Sequence, residues 1–255
     1  MKQFWKWTAV AAALGTLAFG QKPKGPKEQE ALMAIQNATT PEGRVEAIEN
    51  LLTKFVDTEY KPIVLEMAVE TMLQKNDPVQ TTIYAERLLE ADPKNLNAIS
   101  TLATVTAAGI RENDLDKEDK LKRVDDLTGQ CFKLGPEAKN PNKMRTDEAW
   151  VPVRTSYLAA CHDAVAAAAM VRKKPDMAVT EFEASLAARK DPATMVRLGQ
   201  AFTGMKKYDE AIAMFEQAQA FPDVNPVVKQ VASNEKVKAM MARQKAKAAE
   251  APKPQ

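Results

Sequence analysis

PATMVRLGQAFTGMKKYDEAIAMFEQAQAFPDVNP, residues 192–226, is the stretch that decides the fold. Three small residues, Gly199, Ala211 and Ala218, each lie three or four positions from one of the larger Phe202 and Phe215, which is helical spacing. Small side chains let two helices approach closely, and large ones fill the gaps that remain between them. The stretch therefore predicts helices that pack closely against one another.

The same residues carry a family resemblance. Leu198-Gly199-x2-Phe202, then Tyr208, Ala211-x3-Phe215 and Ala218, resemble the tetratricopeptide repeat (TPR), a 34-residue pair of helices, with Met195 in the usual Trp position. The resemblance implies an all-α protein, a right-handed α-α solenoid that acts as a non-catalytic binding scaffold. Composition favours the same class, because Ala, Leu, Met, Glu, Lys and Gln dominate and only 9 residues are Gly.

One repeat cannot bury its apolar face alone, so further copies are expected. Positions equivalent to Leu198 recur at intervals of 34, 34, 63 and 33 residues: Ala34, Ala68, Leu102, Val165 and Leu198. We therefore predict about five TPR-like helix pairs over residues 28–244, ending in a C-terminal capping helix after Pro226. The capping helix is expected to pack through Val228, Val231, Ala232, Val237 and Met240.

The 63-residue interval predicts an irregular insert at residues 109–153, with the helix of the next repeat expected over 157–171. Insertions in repeat proteins lie in loops on one face. Trp150 lies in this insert. Two interpretations of it remain open: it pins the insert onto the helices, or it is an exposed anchor for a partner.

The two ends of the chain differ from its body. Lys2 and Lys6 precede an apolar run over 8–19 that ends in Ala18-Phe19-Gly20, which is typical of a cleaved signal peptide, residues 1–20. The run is about 12 residues, shorter than the ~20 that a membrane span needs. We expect export to the periplasm, with an extracellular location as the alternative. Residues 21–27 are predicted to be a linker and residues 245–255 a disordered basic tail.

Cys131 and Cys161 are the two cysteines of the chain, 30 positions apart on predicted neighbouring helices. An oxidising compartment permits a disulfide between them. Two buried free thiols are the alternative, and the sequence leaves both interpretations open.

Charge separates the ends from the middle. Without residues 1–20 the chain has 34 basic and 34 acidic residues, with a basic excess at each end and an acidic middle. Nucleic-acid binders present a basic face, so we expect no nucleic-acid partner. The basic tail also suggests a second function, a tether that contacts anionic lipid or cell-wall polymer.

In the TPR family, the second, fifth, ninth and twelfth positions of each first helix line a concave groove that binds peptides or partner helices. The resemblance thus implies a groove for protein or peptide segments, and its acidic members favour a basic or polar extended segment. A merely solvated face is the alternative. The implied groove residues are Glu66, Glu70, Leu73, Asn97, Ser100, Thr104, Asp163, Met170, Val196, Gln200 and Thr203.

Catalytic and metal-binding patterns do not stand out in the sequence. His162 is the single histidine, without a Ser, Asp or Glu set at triad spacing, and no Gly-rich phosphate loop or metal-spaced Cys/His set occurs. Glu66 and Glu70 share a helix face, but two carboxylates hold a metal poorly. We therefore expect no enzyme activity, no metal site and no cofactor.

Overall fold

The fold was analysed in a computed structural model, which describes residues 23–141 and 146–250. These residues contain eleven α-helices, one short 3-10 helix and no strand. The α-helices are α1 Pro26–Asn37, α2 Pro41–Lys54, α3 Lys61–Gln74, α4 Pro78–Ala91, α5 Leu96–Gly109, α6 Lys117–Leu134, α7 Asp147–Val171, α8 Pro175–Ala188, α9 Pro192–Gly204, α10 Tyr208–Gln219 and α11 Pro226–Glu250. The predicted all-α class is confirmed.

The helices belong to two compact units. The first consists of the described residues of Met1–Val105 and Lys133–Arg154, and the second of those of Thr106–Phe132 and Thr155–Gln255. Within the first unit α1 packs on α2, α2 on α3 and α3 on α4. Within the second, α8 packs on α9, α9 on α10, and α11 on both α9 and α10. Helices adjacent in sequence are thus adjacent in space, as a repeat array requires.

Proline begins most of these helices. Six helices have Pro as their first residue and α3 has Pro62 as its second, where the missing N–H has no helical partner to lose. Side chains before three of them cap the first turn: Thr40, Asp77 and Asp191 accept hydrogen bonds from backbone N–H groups at 3.1, 3.0 and 2.8 Å. These caps fix where each helix starts.

The turn inside three helix pairs has one repeated geometry. Asn76, Lys173 and Lys206 follow α3, α7 and α9 and have φ of 53°, 58° and 63°. In each case the next residue's N–H donates to the carbonyl five residues before it, at 3.1, 2.9 and 2.9 Å. This closure satisfies carbonyl groups at the end of the helix. The same turn thus recurs at three positions, none of which is glycine.

The core of the second unit follows the sequence pattern of residues 192–226. Ala211, Phe215 and Ala218 are fully buried, and Leu198 and Phe202 pack in the same cluster. A Cβ at Gly199 would lie 2.5 Å from the Phe215 ring. Glycine is needed here because the ring occupies the space of a side chain.

The segment before α1 is attached to the first unit, although we predicted a linker over 21–27. The carboxylate of Glu28, which is 2% exposed, accepts hydrogen bonds from the Thr58 hydroxyl at 2.7 Å and the Lys24 backbone N–H at 2.5 Å. The Lys24 ammonium donates to the Asp57 carbonyl at 2.8 Å. Helix α1 accordingly begins at Pro26. The predicted linker misses these contacts because it was based on Pro, Gly and Lys content alone.

The predicted insert is more regular than expected. Helix α6 occupies 117–134, and α7 begins at Asp147 rather than near residue 157, with Pro152 inside it. Pro152 is exposed, so the hydrogen bond that it cannot make lies on the solvent side of α7. The Trp150 indole is 6% exposed and donates to the Ala138 carbonyl at 2.9 Å, which pins the segment after α6 to the start of α7.

The capping helix α11 differs from its prediction in two ways. Its packed side consists of Ala232 and Ala239, both fully buried, with Val228 beside them, while Val231, Val237 and Met240 are 38%, 45% and 44% exposed. The small alanines lie innermost because they allow α11 to lie close to its neighbours. The helix also continues to Glu250, where we expected a disordered tail from Lys245. Alanine and lysine in 245–250 explain this extension, since both favour helix.

Several predictions concern residues outside the described part. The signal peptide, its cleavage after Gly20 and the last five residues of the tail lie there. Among the helices that are described, none has the length and apolar character that a transmembrane segment requires.

Candidate binding faces

Six of the predicted groove residues lie in the first unit, on α3 and α5. Glu70 and Leu73 are exposed, the latter by 45%, and Glu66 and Thr104 are half-buried. Asn97 and Ser100 are buried, by contrast, at 5% and 2% exposure. The accessible part of this face is therefore mainly the acidic side of α3.

Hydrogen bonds within the first unit account for the buried members. The Asn97 amide donates to the Glu66 carboxylate at 3.2 Å, which joins α5 to α3. The hydroxyls of Ser100 and Thr104 donate to backbone carbonyls one turn earlier on α5, at 3.2 and 2.7 Å. These groups have partners inside the unit, so they offer a ligand little polar binding capacity.

Five predicted groove residues lie in the second unit, on α7 and α9. Gln200 is exposed, and Met170 and Thr203 are half-buried. Val196 is only 5% exposed and belongs to the core cluster of this unit. Asp163 is also buried.

Asp163 has its partners inside the unit. Its Oδ2 accepts hydrogen bonds from the Thr194 hydroxyl at 2.8 Å and from the Arg197 guanidinium at 2.6 Å. Burial raises the pKa of the Asp163 carboxyl above its ordinary value, against the opposing effects of Arg197 and Thr194. Asp163 thus gives the face no free negative charge.

Arg197 is the residue that the sequence analysis missed on this face. Its side chain is 39% exposed and lies beside the buried Asp163. The signal was present in the sequence, because Arg197 lies 34 positions after Asp163 and so one repeat later. The Thr203 hydroxyl donates to the Gly199 carbonyl at 2.9 Å, so the accessible polar groups of the second unit's face are Arg197 and Gln200.

His162 takes part in a local contact rather than a cluster of reactive groups. Its Nδ1 lies 2.7 Å from Oε2 of Glu181, and its ring is 4.6 Å from the ring of Phe132. These contacts connect α7 with α8 and with α6. Across residues 23–141 and 146–250 no three His, Cys, Asp or Glu side chains are placed to hold a metal ion.

The structure joins Cys131 of α6 and Cys161 of α7 in a disulfide. Both cysteines are fully buried and belong to the second unit. The bond crosses from the second helix of the irregular repeat to the first helix of the next repeat. It closes a 30-residue separation that includes the segment between α6 and α7.

The chain is similar to known proteins in its three-dimensional structure and not in its sequence. No protein-family model matches the sequence, and no curated protein matches it. The crystal structure of TTC0263, a thermophilic TPR protein of Thermus thermophilus, superimposes with a TM-score of 0.57 over 82% of this chain and 99% of that chain, at 15% sequence identity. The chain has the TPR fold.

The crystal structure of MamA protein is also similar, with a TM-score of 0.36, 14% identity, and coverage of 78% of this chain and 100% of that chain. That TM-score is too low for an inference. The TPR fold agrees with the helix pairs, the repeated turns and the Gly199–Phe215 contact described above. In the register predicted from the sequence, α3, α5, α7 and α9 are the first helices of their repeats, and the predicted groove residues lie on these four helices.

Proposed function

We propose that this protein is an exported TPR scaffold that binds extended protein segments through the first-helix faces of its repeats, without an activity of its own. The observation that carries the proposal is the accessible surface on those helices: Glu66 and Glu70 beside the apolar Leu73 in the first unit, and Arg197 with Gln200 in the second. TPR folds generally bind protein partners through such surfaces.

The two faces favour different segments. On the first unit, Glu70 is exposed beside the half-buried Glu66, with exposed Leu73 on the same helix, a combination suited to a basic segment that carries an apolar side chain. On the second unit the only acidic member, Asp163, is buried against Arg197. The preference for a basic partner therefore rests on the first unit.

Site-specific photo-cross-linking in the native cell envelope tests the proposal. A photo-reactive side chain in place of Leu73 should give one discrete protein adduct, and the same group in place of Glu90, exposed on the second helix of that repeat, should give none. Glu70→Lys should abolish the adduct at 73, because it reverses the charge next to a basic segment, whereas Glu90→Lys should leave it intact. Equal adducts at 73 and 90, or an adduct that survives Glu70→Lys, would contradict binding at this face.

Export is supported by two independent features, the apolar run with its small terminal residues and the buried disulfide. Disulfides persist in oxidising compartments and are rare in the cytosol. N-terminal sequencing of the protein from fractionated cells should give Gln21 as the first residue, in the periplasmic fraction. A cytosolic protein that retains Met1 would contradict export.

A tether is the second candidate function, favoured by the charge of α11, which carries six basic and two acidic residues. As a tether, the protein contacts anionic lipid or cell-wall polymer through the C-terminal end of α11 and the basic tail. The test is co-sedimentation with vesicles that contain phosphatidylglycerol. Salt-sensitive binding by the full chain, lost in a chain that ends at Gln244, would establish the tether. A chain that does not bind these vesicles would leave no support for the lipid form of this function.

A further inference from the structure

The disulfide between α6 and α7 lies out of reach of solvent in the folded protein. Cys131 is in the last turn of α6 and Cys161 is near the middle of α7, and both are 0% exposed. Thiol–disulfide exchange requires direct contact between a thiolate and a disulfide sulfur, so access to the sulfurs limits its rate. The folded chain is therefore a poor substrate for a disulfide reagent of any size.

Side-chain contacts hold α6 against α7 around the bond. His162 and Phe132 each follow one of the cysteines, and the centroids of their rings are 4.6 Å apart. Just beyond the end of α7, the Arg172 guanidinium donates two hydrogen bonds to the Asp125 carboxylate of α6, at 3.0 and 2.6 Å. Exposure of the sulfurs therefore requires more than the rotation of one side chain, since the two helices have to separate.

The chain between the cysteines adds to this enclosure. The Trp150 indole donates to the Ala138 carbonyl at 2.9 Å, and the Arg154 guanidinium donates to the Pro136 carbonyl at 3.0 Å. Both contacts join the segment that follows α6 to the first half of α7. Separation of the two helices in the folded chain would have to break these contacts as well.

The cysteine content limits the chemistry that the bond needs. The chain contains two cysteines, so one pairing is possible within a chain and no wrong intramolecular bond has to be rearranged. Joining the two thiols releases two protons and two electrons, and the disulfide of another molecule accepts them as it becomes a dithiol. The requirement is thus for an oxidant that reaches the sulfurs, and not for an isomerase.

We propose that a thiol–disulfide oxidoreductase with an oxidised Cys-x-x-Cys site makes this bond on the incompletely folded chain, before α6 packs against α7. One cysteine thiolate attacks the oxidised site, which gives a mixed disulfide and releases one thiolate of that site. The second cysteine thiolate then attacks the sulfur of the first, and the oxidoreductase leaves as a dithiol. Packing of α6 on α7 afterwards encloses the finished bond.

The two parts of this proposal have different foundations. The oxidoreductase rests on the proposed export, because disulfides are made and kept in oxidising compartments. The order, in which the bond precedes the packing of α6 on α7, rests on the burial of Cys131 and Cys161 and does not depend on export. The experiments below test the two parts separately.

Protein isolated from the cell envelope tests the order, with oxidised glutathione as the probe. The protein is reduced in urea without oxygen, and half of it is refolded before the probe is added. Alkylation of the remaining thiols at intervals, measured by mass spectrometry, gives the rate of bond formation. The sample in urea should form the bond about a hundredfold faster or more, since the refolded sample exposes its sulfurs only when it opens.

A single exposed cysteine is the matched control. Val79→Cys, combined with Cys131→Ala and Cys161→Ala, places a thiol on α4 where the valine is 66% exposed. This variant should form its mixed disulfide with glutathione at a similar rate in both samples. Equal rates for the wild type in urea and after refolding to native helix content, measured by circular dichroism, would overturn the order. A reduced chain that regains no helix would support it, because the bond then precedes the fold.

Single-cysteine variants test the oxidoreductase in the native cell. Cys131→Ala and Cys161→Ala each lack the thiol that completes the second step, so each should accumulate a mixed disulfide, and the double variant should give none. After acid quenching and alkylation, tryptic peptides 155–172 and 124–133, respectively, should be linked to a peptide that contains Cys-x-x-Cys. These adducts form before packing, so they do not require the variants to fold.

The outcomes that contradict the oxidoreductase differ from those that contradict export. Adducts only with small thiols, or only with a second copy of the chain, would overturn the role of an oxidoreductase. Free thiols in wild-type protein that begins at Gln21 would overturn it too, without affecting export. Retention of Met1 in the cytosol would contradict export itself, and the glutathione experiment would still decide the order.

Discussion

Gly199 shows how one residue can decide whether two helices pair. Its Cα faces the Phe215 ring so closely that a methyl group would overlap the ring, and Phe215 is fully buried in the core cluster of the second unit. Gly199→Ala gains roughly 1 kcal/mol of helix propensity but overpacks the core. We expect a net loss of about 1–3 kcal/mol in the free energy of unfolding, measured by urea denaturation.

The matched control for Gly199 is Gly129, which lies inside α6 with nothing within 4 Å of its would-be Cβ. Gly129→Ala should stabilise the protein by about 0.5–1 kcal/mol, since only the helix propensity changes. If both substitutions stabilise, the close approach of α9 and α10 is not the reason for glycine at 199.

The raised pKa of Asp163 predicts that the stability of the folded protein changes with pH in a definite direction. Because burial raises its pKa in the folded state, the folded protein binds this proton more tightly than the unfolded chain does. Its effect on stability is absent below the unfolded pKa of about 3.9. It becomes increasingly unfavourable as the pH rises through the folded pKa, and is complete above that value.

Asp163→Asn removes this titration and keeps an oxygen that can accept from Arg197. The stability of the variant relative to the wild type should therefore increase from about pH 3.5 to about pH 7, as measured by thermal unfolding at both values. Asp191→Asn, at the cap of the same helix as Arg197, controls for loss of an acidic residue nearby. A relative stability that falls with pH would show that Arg197 outweighs burial at this site.

At the scale of elements, the left-handed turn residues are the clearest opportunity for a gain in stability. Lys206 has φ of 63°, a conformation that costs a non-glycine residue roughly 1–2 kcal/mol. Lys206→Gly relieves this cost, less the extra freedom that glycine has in the unfolded chain. We expect a net gain of about 0.5–1 kcal/mol by urea denaturation.

The neighbouring lysine provides the control for that turn. Lys207 has φ of −84° and precedes α10. Lys207→Gly gains nothing in the folded state and should lower stability by roughly 0.5 kcal/mol or more. Equal effects at 206 and 207 would mean that backbone conformation is not the cause.

Much of the element order could be predicted from sequence, because small and large residues recur at a near-constant interval. The start of α7 could not, since Pro152 and neighbouring polar residues suggested a loop. The missed signal is Thr146, whose hydroxyl accepts from the Ala149 N–H at 3.2 Å, followed by acidic Asp147 and Glu148 in the first turn. A capping residue such as Thr146 indicates where a helix begins, even when a proline follows within that helix.

The candidate faces were less predictable than the helices. Register alone places Asn97 and Asp163 on the faces, but whether a side chain is accessible depends on a partner one repeat away. Asn97 contacts Glu66 across 31 positions, and Asp163 contacts Arg197 across 34. Pairing at the repeat distance could have been considered from the sequence, and it would have removed both residues from the set of free ligand-binding groups.

At the scale of the whole molecule, the disulfide joins two helices of the second unit, and the first unit contains no such bond. Both cysteines lie in the second unit, and closing about 30 residues contributes roughly 3–4 kcal/mol. The first unit has no cysteine, because the chain contains only these two. The loop that the bond closes contains Lys133–Arg154 of the first unit, so its full contribution applies only when both units are unfolded.

Cys131→Ala with Cys161→Ala tests this contribution. The variant should lose about 3–4 kcal/mol in the free energy of unfolding of the whole chain, measured by urea denaturation followed by circular dichroism. The fully buried sulfurs are shielded in the folded protein, so a reductant should act on the wild type mainly as the chain unfolds and should then bring its midpoint to that of the variant. A reductant should have no effect on the variant itself. An unchanged free energy of unfolding in the variant would mean that the bond does not constrain the unfolded chain.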